Sequence, residues 1–207
     1  MKNVEETTIT EILNNYQSIF GSSRIEIPTL KALSVENKFN MYSKEFVVSP
    51  IIKGNRLLCI LNRDDMQPYF LSENKKVSQW SLNKGTGPEW SGPRCILDGT
   101  LVILPNRYIY VVSDIISLQN KSLVKQSFKD RLEILNSEIT PFLKDMTRKK
   151  RSEYCMIPTP WIKTTDALTV KKDILKYIHS YFQKTCTGSY GVPGTLIPKS
   201  GIVFKSY

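Results

Sequence analysis

A single histidine, His179, and four cysteines scattered singly are all the imidazole and thiol groups that this chain of 207 residues offers a metal. A structural zinc site needs clustered ligands, and Cys59, Cys95, Cys155 and Cys186 show no CxxC spacing. No structural metal and no disulfides are expected, and Cys59 and Cys95, inside strand-like apolar runs, read as small core residues. Long hydrophobic runs are missing too, so no membrane span is expected. The N-terminal stretch MKNVEETTIT lacks a basic region followed by an apolar one. No secretory signal is therefore expected, and the chain is expected to be intracellular, nuclear or cytoplasmic or both. With no internal repeat and no low-complexity linker, residues 1–207 are read as one domain, with residues 1–25 as an N-terminal helical extension.

What the chain does have is positive charge and ordinary apolar content. Twenty-nine Lys and Arg against 19 Asp and Glu give a net charge of +10, and 41% hydrophobic residues are enough for a core. The excess suits a polyanionic partner such as RNA or a nucleotide phosphate. Its densest cluster is Arg148-Lys149-Lys150-Arg151, a charge run that reads equally as a solvated loop.

Ile9, Ile12, Leu13, Tyr16 and Ile19 stand at helical spacing and predict an amphipathic helix over about residues 5–20. Strands are predicted at Phe46 to Val48, Arg56 to Leu61, Cys95 to Leu97, Leu101 to Leu104 and Tyr108 to Val112. Lys53-Gly54-Asn55 is a turn between the first two, and Pro105-Asn106-Arg107 makes the last two a hairpin. Helices are predicted over about Leu123 to Leu135 and about Asp166 to Gln183, then a glycine-rich loop and a final strand at Ile202 to Phe204. Adjacent hairpins outnumber helices, so the class is α+β with mainly antiparallel sheets and flanking helices.

Three blocks, in this order, resemble the covalent nucleotidyltransferases, especially the mRNA guanylyltransferases. The first, Phe46-Val47-Val48-Ser49-Pro50-Ile51-Ile52-Lys53-Gly54-Asn55-Arg56, resembles the family's lysine, any residue, aspartate, glycine, any residue, arginine motif. Aligning Gly54 and Arg56 puts Ile51 at the nucleophilic lysine and Lys53 at the aspartate. The second, Ile96-Leu97-Asp98-Gly99-Thr100, is similar to the strand bearing Asp-Gly-Glu. Tyr108 to Val112 then leads into Ser113-Asp114, similar to the strand ending in an aspartate. Asp130-Arg131-Leu132 falls on the family's arginine-bearing helix. The third, Gly201-Ile202-Val203-Phe204-Lys205, resembles the Asp-Gly-hydrophobic-hydrophobic-Phe strand, with Ser200 in the acidic place.

The resemblance implies a guanylyltransferase-like fold, here without the OB-fold lid and the fifth, lysine-rich motif. Its departures imply lost chemistry. The family's lysine attacks the α-phosphate, and Ile51 has no lone pair with which to do so. Thr100 and Ser200 replace two acidic residues that help hold metal and sugar. A similar loss occurs in snurportin, which binds the trimethylguanosine cap on the same fold and whose first block resembles Glu45 to Val48 and Gly54 to Arg56 here. By that likeness Phe46 falls where a cap-stacking tryptophan stands.

The expected contacts follow. Phe46, or Trp80 and Trp90 beside a Gly-rich loop, would stack on a base, although each is equally suited to packing. Lys53 and Arg56 would meet phosphate. Asp98 and Asp114 would bond ribose or base, and Arg131 reads either as a phosphate ligand or as a surface residue paired with acidic neighbours. Trp161, after Pro160, is expected to pack. The expected function is non-catalytic binding of a guanine nucleotide or a capped RNA 5′ end, with no cofactor. The alternatives are a divergent guanylyltransferase subunit completed by a partner chain, or an inactive scaffold of an RNA capping or transcription complex.

Overall fold

Along Arg56 to Leu61 the side chains alternate, and that alternation divides the core in two. Leu58 and Ile60 join one buried cluster while Cys59 and Leu61 join another on the opposite face. The computed structural model describes residues 2–27, 46–62, 67–79, 91–105, 107–143, 154–164, 180 and 199–206. Trp80, Trp90, the basic run at residues 148–151 and nearly all of the helix expected over 166–183 lie outside the described residues.

The larger sheet contains β1 (Lys2–Asn3), β3 (Asn55–Leu61), β4 (Pro68–Leu71), β5 (Val77–Gln79), β6 (Cys95–Leu104), β7 (Arg107–Leu118), β8 (Lys121–Ser122) and β9 (Tyr154–Pro158). Its order is β1-β5-β4-β3-β6-β7-β8, with β9 running parallel to β7 and every other pairing antiparallel. A smaller antiparallel sheet has the order β10 (Ile162–Thr164), β2 (Phe46–Ile52), β11 (Lys199–Ser206). The expected class, α+β with mainly antiparallel sheets, is the one observed.

Helix α1 (Glu6–Phe20) covers one face of the large sheet, burying Ile12 and Tyr16 against Leu58, Ile60, Tyr69 and Leu71. It ends because Gly21 takes φ 68° and returns its N–H to the Gln17 carbonyl at 2.8 Å. The other face is covered by α2 (Phe128–Ile134) and the helical residues that continue to 143, which bury Phe128, Leu132, Leu135, Ile139 and Leu143.

Two expectations about elements need correction. The predicted strands Cys95 to Leu97 and Leu101 to Leu104 are one strand, β6, which absorbs two register shifts against β7 without leaving the ladder. The helix predicted from Leu123 starts at Phe128, because the Ser127 hydroxyl accepts from the Asp130 N–H at 3.1 Å and so sets the N-cap. That helix also runs past Leu135. A π-helical turn, Leu135–Ile139, stands just before Pro141, which has no N–H to give. Thr140 sends both its N–H and its hydroxyl to the Leu135 carbonyl.

Tyr110 sits at the centre of the larger cluster, fully buried, its hydroxyl donating to the Leu57 and Leu97 carbonyls at 2.8 and 3.0 Å. It fits there because Gly99 has no side chain. A Cβ at Gly99 would lie 2.5 Å from the Val111 carbonyl oxygen and 2.7 Å from the Tyr110 ring. Gly21, by contrast, has nothing near its missing Cβ and needs glycine only for its positive φ. Gly99→Ala should therefore cost about 1–3 kcal/mol from overpacking, and Gly21→Ala only about 1 kcal/mol from backbone strain. Urea midpoints at constant slope measure both; a larger loss at Gly21 would contradict the packing assigned to Tyr110.

Candidate functional site

Chain segments from both sheets meet around a cleft of about 210 Å³. Ser49 to Ile52, at the end of β2, form one wall, and Gly54 lies where the chain passes from β2 to β3, against the Leu101 carbonyl. Arg56 and Thr100, paired across β3 and β6, form the floor on the large-sheet side. Val203 and Lys205 enter from β11, two residues apart and so on one face of that strand. Ser113, Thr159 and Trp161 complete the lining.

Trp161 is brought in by the end of β9. After Pro158 the Thr159 N–H donates to the Val112 carbonyl at 2.7 Å, and the Trp161 Nε1–H donates to the Ser113 carbonyl at 3.0 Å. The indole is fixed further by an edge-to-face contact with Phe128, with ring centroids 4.9 Å apart.

Two buried carboxylates stand behind the lining. Asp98 is wholly buried and takes both oxygens to Arg56, from Nε at 3.1 Å and from Nη2 at 2.5 Å. Asp114, also buried, accepts from Arg131 Nε and Nη2 at 3.0 and 2.9 Å, from Lys205 Nζ at 3.1 Å and from the Ile115 N–H at 2.8 Å. Burial pushes the Asp98 carboxyl above its ordinary range, and the hydrogen bond and charge of Arg56 recover only part of that rise. On Arg56 the balance is reversed. Burial opposes its charge, but the hydrogen bond and charge of Asp98 outweigh it and the guanidinium holds its proton more tightly than usual. The asymmetry is geometric, since Arg56 still reaches solvent and Asp98 does not.

Ser49 is the exception to this satisfied network. It is wholly buried, lines the cleft, and its hydroxyl has no hydrogen-bond partner among the described residues. An unpaired buried hydroxyl costs about 1–3 kcal/mol, a deficit that a polar ligand atom would remove.

Of the residues expected as contacts, Arg56 lines the cleft. Asp98, Asp114 and Arg131 do not; they hold the lining from behind, and Arg131 pairs with Asp114 rather than with its helical neighbours. Lys53 is exposed at the turn, outside the lining. Phe46 is 6% exposed, lies between β10 and β11, and is also outside the lining. Ile51 and Thr100, singled out as replacements for catalytic groups, both face the cleft. Sequence reasoning missed Lys205, Trp161 and Ser49. Lys205 was visible as the residue two beyond Val203 in the third block, and Ser49 as the residue two before Ile51 in the first. Trp161 carried no signal, because its position depends on how the chain leaves β9.

Two mainly antiparallel sheets with a cleft between their inner strands are the arrangement of a nucleotidyltransferase fold, and this is the fold of the chain. It matches the solved structure of Pmar-Lig_PreS3 with a TM-score of 0.50 at 13% identity, over 98% of this chain and 47% of that one. It is also similar to the ligase domain of LigD from M. tuberculosis (TM-score 0.47, 13% identity, 87% of this chain and 51% of that one). A mycobacterial DNA ligase D complexed with ATP and MES matches comparably (TM-score 0.48, 13% identity, 88% and 52%). The chain thus spans about half the length of the structures it matches. No family model matches it, and no curated protein does.

The Arg56–Asp98 pair carries a pH signature. Because the folded-state value of Asp98 lies above the unfolded one, ionising it costs stability as pH rises through the raised value. Arg56→Met removes the hydrogen bond and charge that lower that value and so pushes it higher still. The variant should lose little near about pH 4 and about 3–5 kcal/mol near about pH 7, measured by urea denaturation. A deficit equal at both pH values would refute the pairing.

Proposed function

We propose that this chain is a nucleotide-binding module that performs no nucleotidyl transfer, and that its cleft takes a guanine nucleotide or the guanosine-capped 5′ end of an RNA. The observation that carries the reading is the meeting of all three sequence blocks at one cleft, with Ile51 on its wall where the resemblance calls for a nucleophile. Isoleucine offers no electron pair, so no covalent lysyl-nucleotide forms there. Thr100 faces the same space with a neutral hydroxyl where the resemblance calls for an acid.

The size and lining of the cleft support a ligand that enters by one end. At about 210 Å³ it is smaller than the roughly 300–1,000 Å³ of ordinary ligand pockets. It has room for a base or a ribose, with phosphates extending past Arg56 and Lys205 toward solvent. A small shift of the β2 wall would bring the buried Ser49 hydroxyl, with its unspent hydrogen bond, to a polar edge of the base, and the two cations favour an anionic ligand. The excess positive charge of the whole chain acts in the same direction for a longer RNA.

Ser49 tests this reading because its structural and binding roles have opposite signs. Its hydroxyl has no partner among the described residues, so Ser49→Ala should leave stability unchanged or slightly raised while weakening GTP or an unmethylated cap dinucleotide about 2- to 10-fold. Calorimetric titration and urea denaturation on the same samples measure both. Incubation with α-labelled GTP and magnesium or manganese should leave no acid-stable labelled protein. An adduct abolished by Lys53→Ala or Lys205→Ala would overturn the non-catalytic reading, and unchanged affinity in Ser49→Ala would remove Ser49 from the site.

A further inference from the structure

Resting on that nucleotide-binding reading, we infer that the cleft selects ligands with an uncharged base and rejects ring-methylated, cationic ones, with Lys205 as the discriminating residue. An aromatic cage for a cationic base needs electron-rich ring faces free to meet the ligand's charge. Here those faces already hold a cation of the protein. The Lys205 ammonium lies 4.0 Å from the centroid of the Phe128 ring and 5.2 Å from that of Trp161. The Arg131 guanidinium lies 5.6 Å from the Phe128 ring as well.

Lys205 is held in place rather than free to withdraw. Asp114 accepts from its Nζ at 3.1 Å while also accepting from Arg131, and the β11 backbone is paired along β2 through Lys205. A base stacked on the cleft side of Trp161 therefore meets an ammonium close to its ring. Around the cleft, Arg56, Arg131 and Lys205 stand against Asp98 and Asp114, leaving one positive charge in excess. A neutral guanine loses nothing by this, and its phosphates gain from it. A base carrying its own ring charge is repelled by Lys205 in a partly desolvated site, and the cation–π attraction that would offset the repulsion is already taken. Trp161 is thus the stacking platform of the cleft, and Lys205 sets which base it accepts.

The test compares an unmethylated cap dinucleotide, GpppA, with its N7-methylated counterpart by calorimetric titration of the full chain. Wild type should bind the unmethylated form about tenfold or more tightly. Lys205→Met keeps the length of the side chain but removes its charge and frees the ring faces, so the preference should vanish or invert. Lys205→Arg should retain it. Equal affinities or a methylated preference in wild type would overturn the inference, and that measurement decides even if Lys205→Met fails to fold. A preference left intact in folded Lys205→Met would overturn the role of Lys205. Binding of neither ligand by wild type would overturn the nucleotide reading and this inference together, whereas methylated-only binding would sink the inference alone.

Discussion

The carboxylate of Asp114 is buried where β7, the helix α2 and the strand β11 come together, and the geometry of the cleft depends on how its charge is satisfied. A buried carboxylate without partners is costly enough to change its protonation or the fold around it. Here it receives two bonds from Arg131, one from Lys205 and one from the Ile115 backbone. Those bonds tie the small sheet and the covering helix to the large one. They also set the height of Lys205 over Phe128 and, with it, the chemical character of the cleft wall.

Arg56 and Asp98 repeat the arrangement on the neighbouring strands. In both pairs the carboxylate is hidden, and one of its cations, Arg56 or Lys205, reaches the cleft. The cleft therefore presents positive charge to a ligand while the balancing negative charge stays inside. Both acids are thereby committed to protein donors.

The fold constrains some positions around the cleft more tightly than others. Strand pairing and close packing need particular backbones and volumes, not a nucleophile. Gly54 must pass close to the Leu101 carbonyl and Gly99 must admit the Tyr110 ring, so those positions constrain the fold. Ile51 and Thr100 satisfy the same ladders as a lysine or an acid would. An isoleucine and a threonine at these positions leave the sheets undisturbed.

The order and period of apolar residues were legible along most of the described chain. The amphipathic α1, the β2–β3 passage at Gly54, the β6–β7 hairpin and the α+β class all follow from local spacing and turn chemistry, which act within a few residues. So did the presence of isoleucine at position 51, because identity at one position needs no structure. The helix start was not legible: the apolar pattern put it at Leu123, and the cap at Ser127 sets it at Phe128. Side-chain partners were not legible. Asp98 with Arg56, and Asp114 with Arg131 and Lys205, join residues 42, 17 and 91 positions apart. Only the pairing of β3 with β6 and the crossing of α2 and β11 over β7 brought them together. For the same reason Trp161, which packs on the core as expected, also forms a wall of the cleft, and Phe46, read as equally suited to stacking or packing, is buried outside the lining. Local sequence determines which way a strand's residues alternate, whereas the contact between two sheets decides which of those faces a ligand can reach.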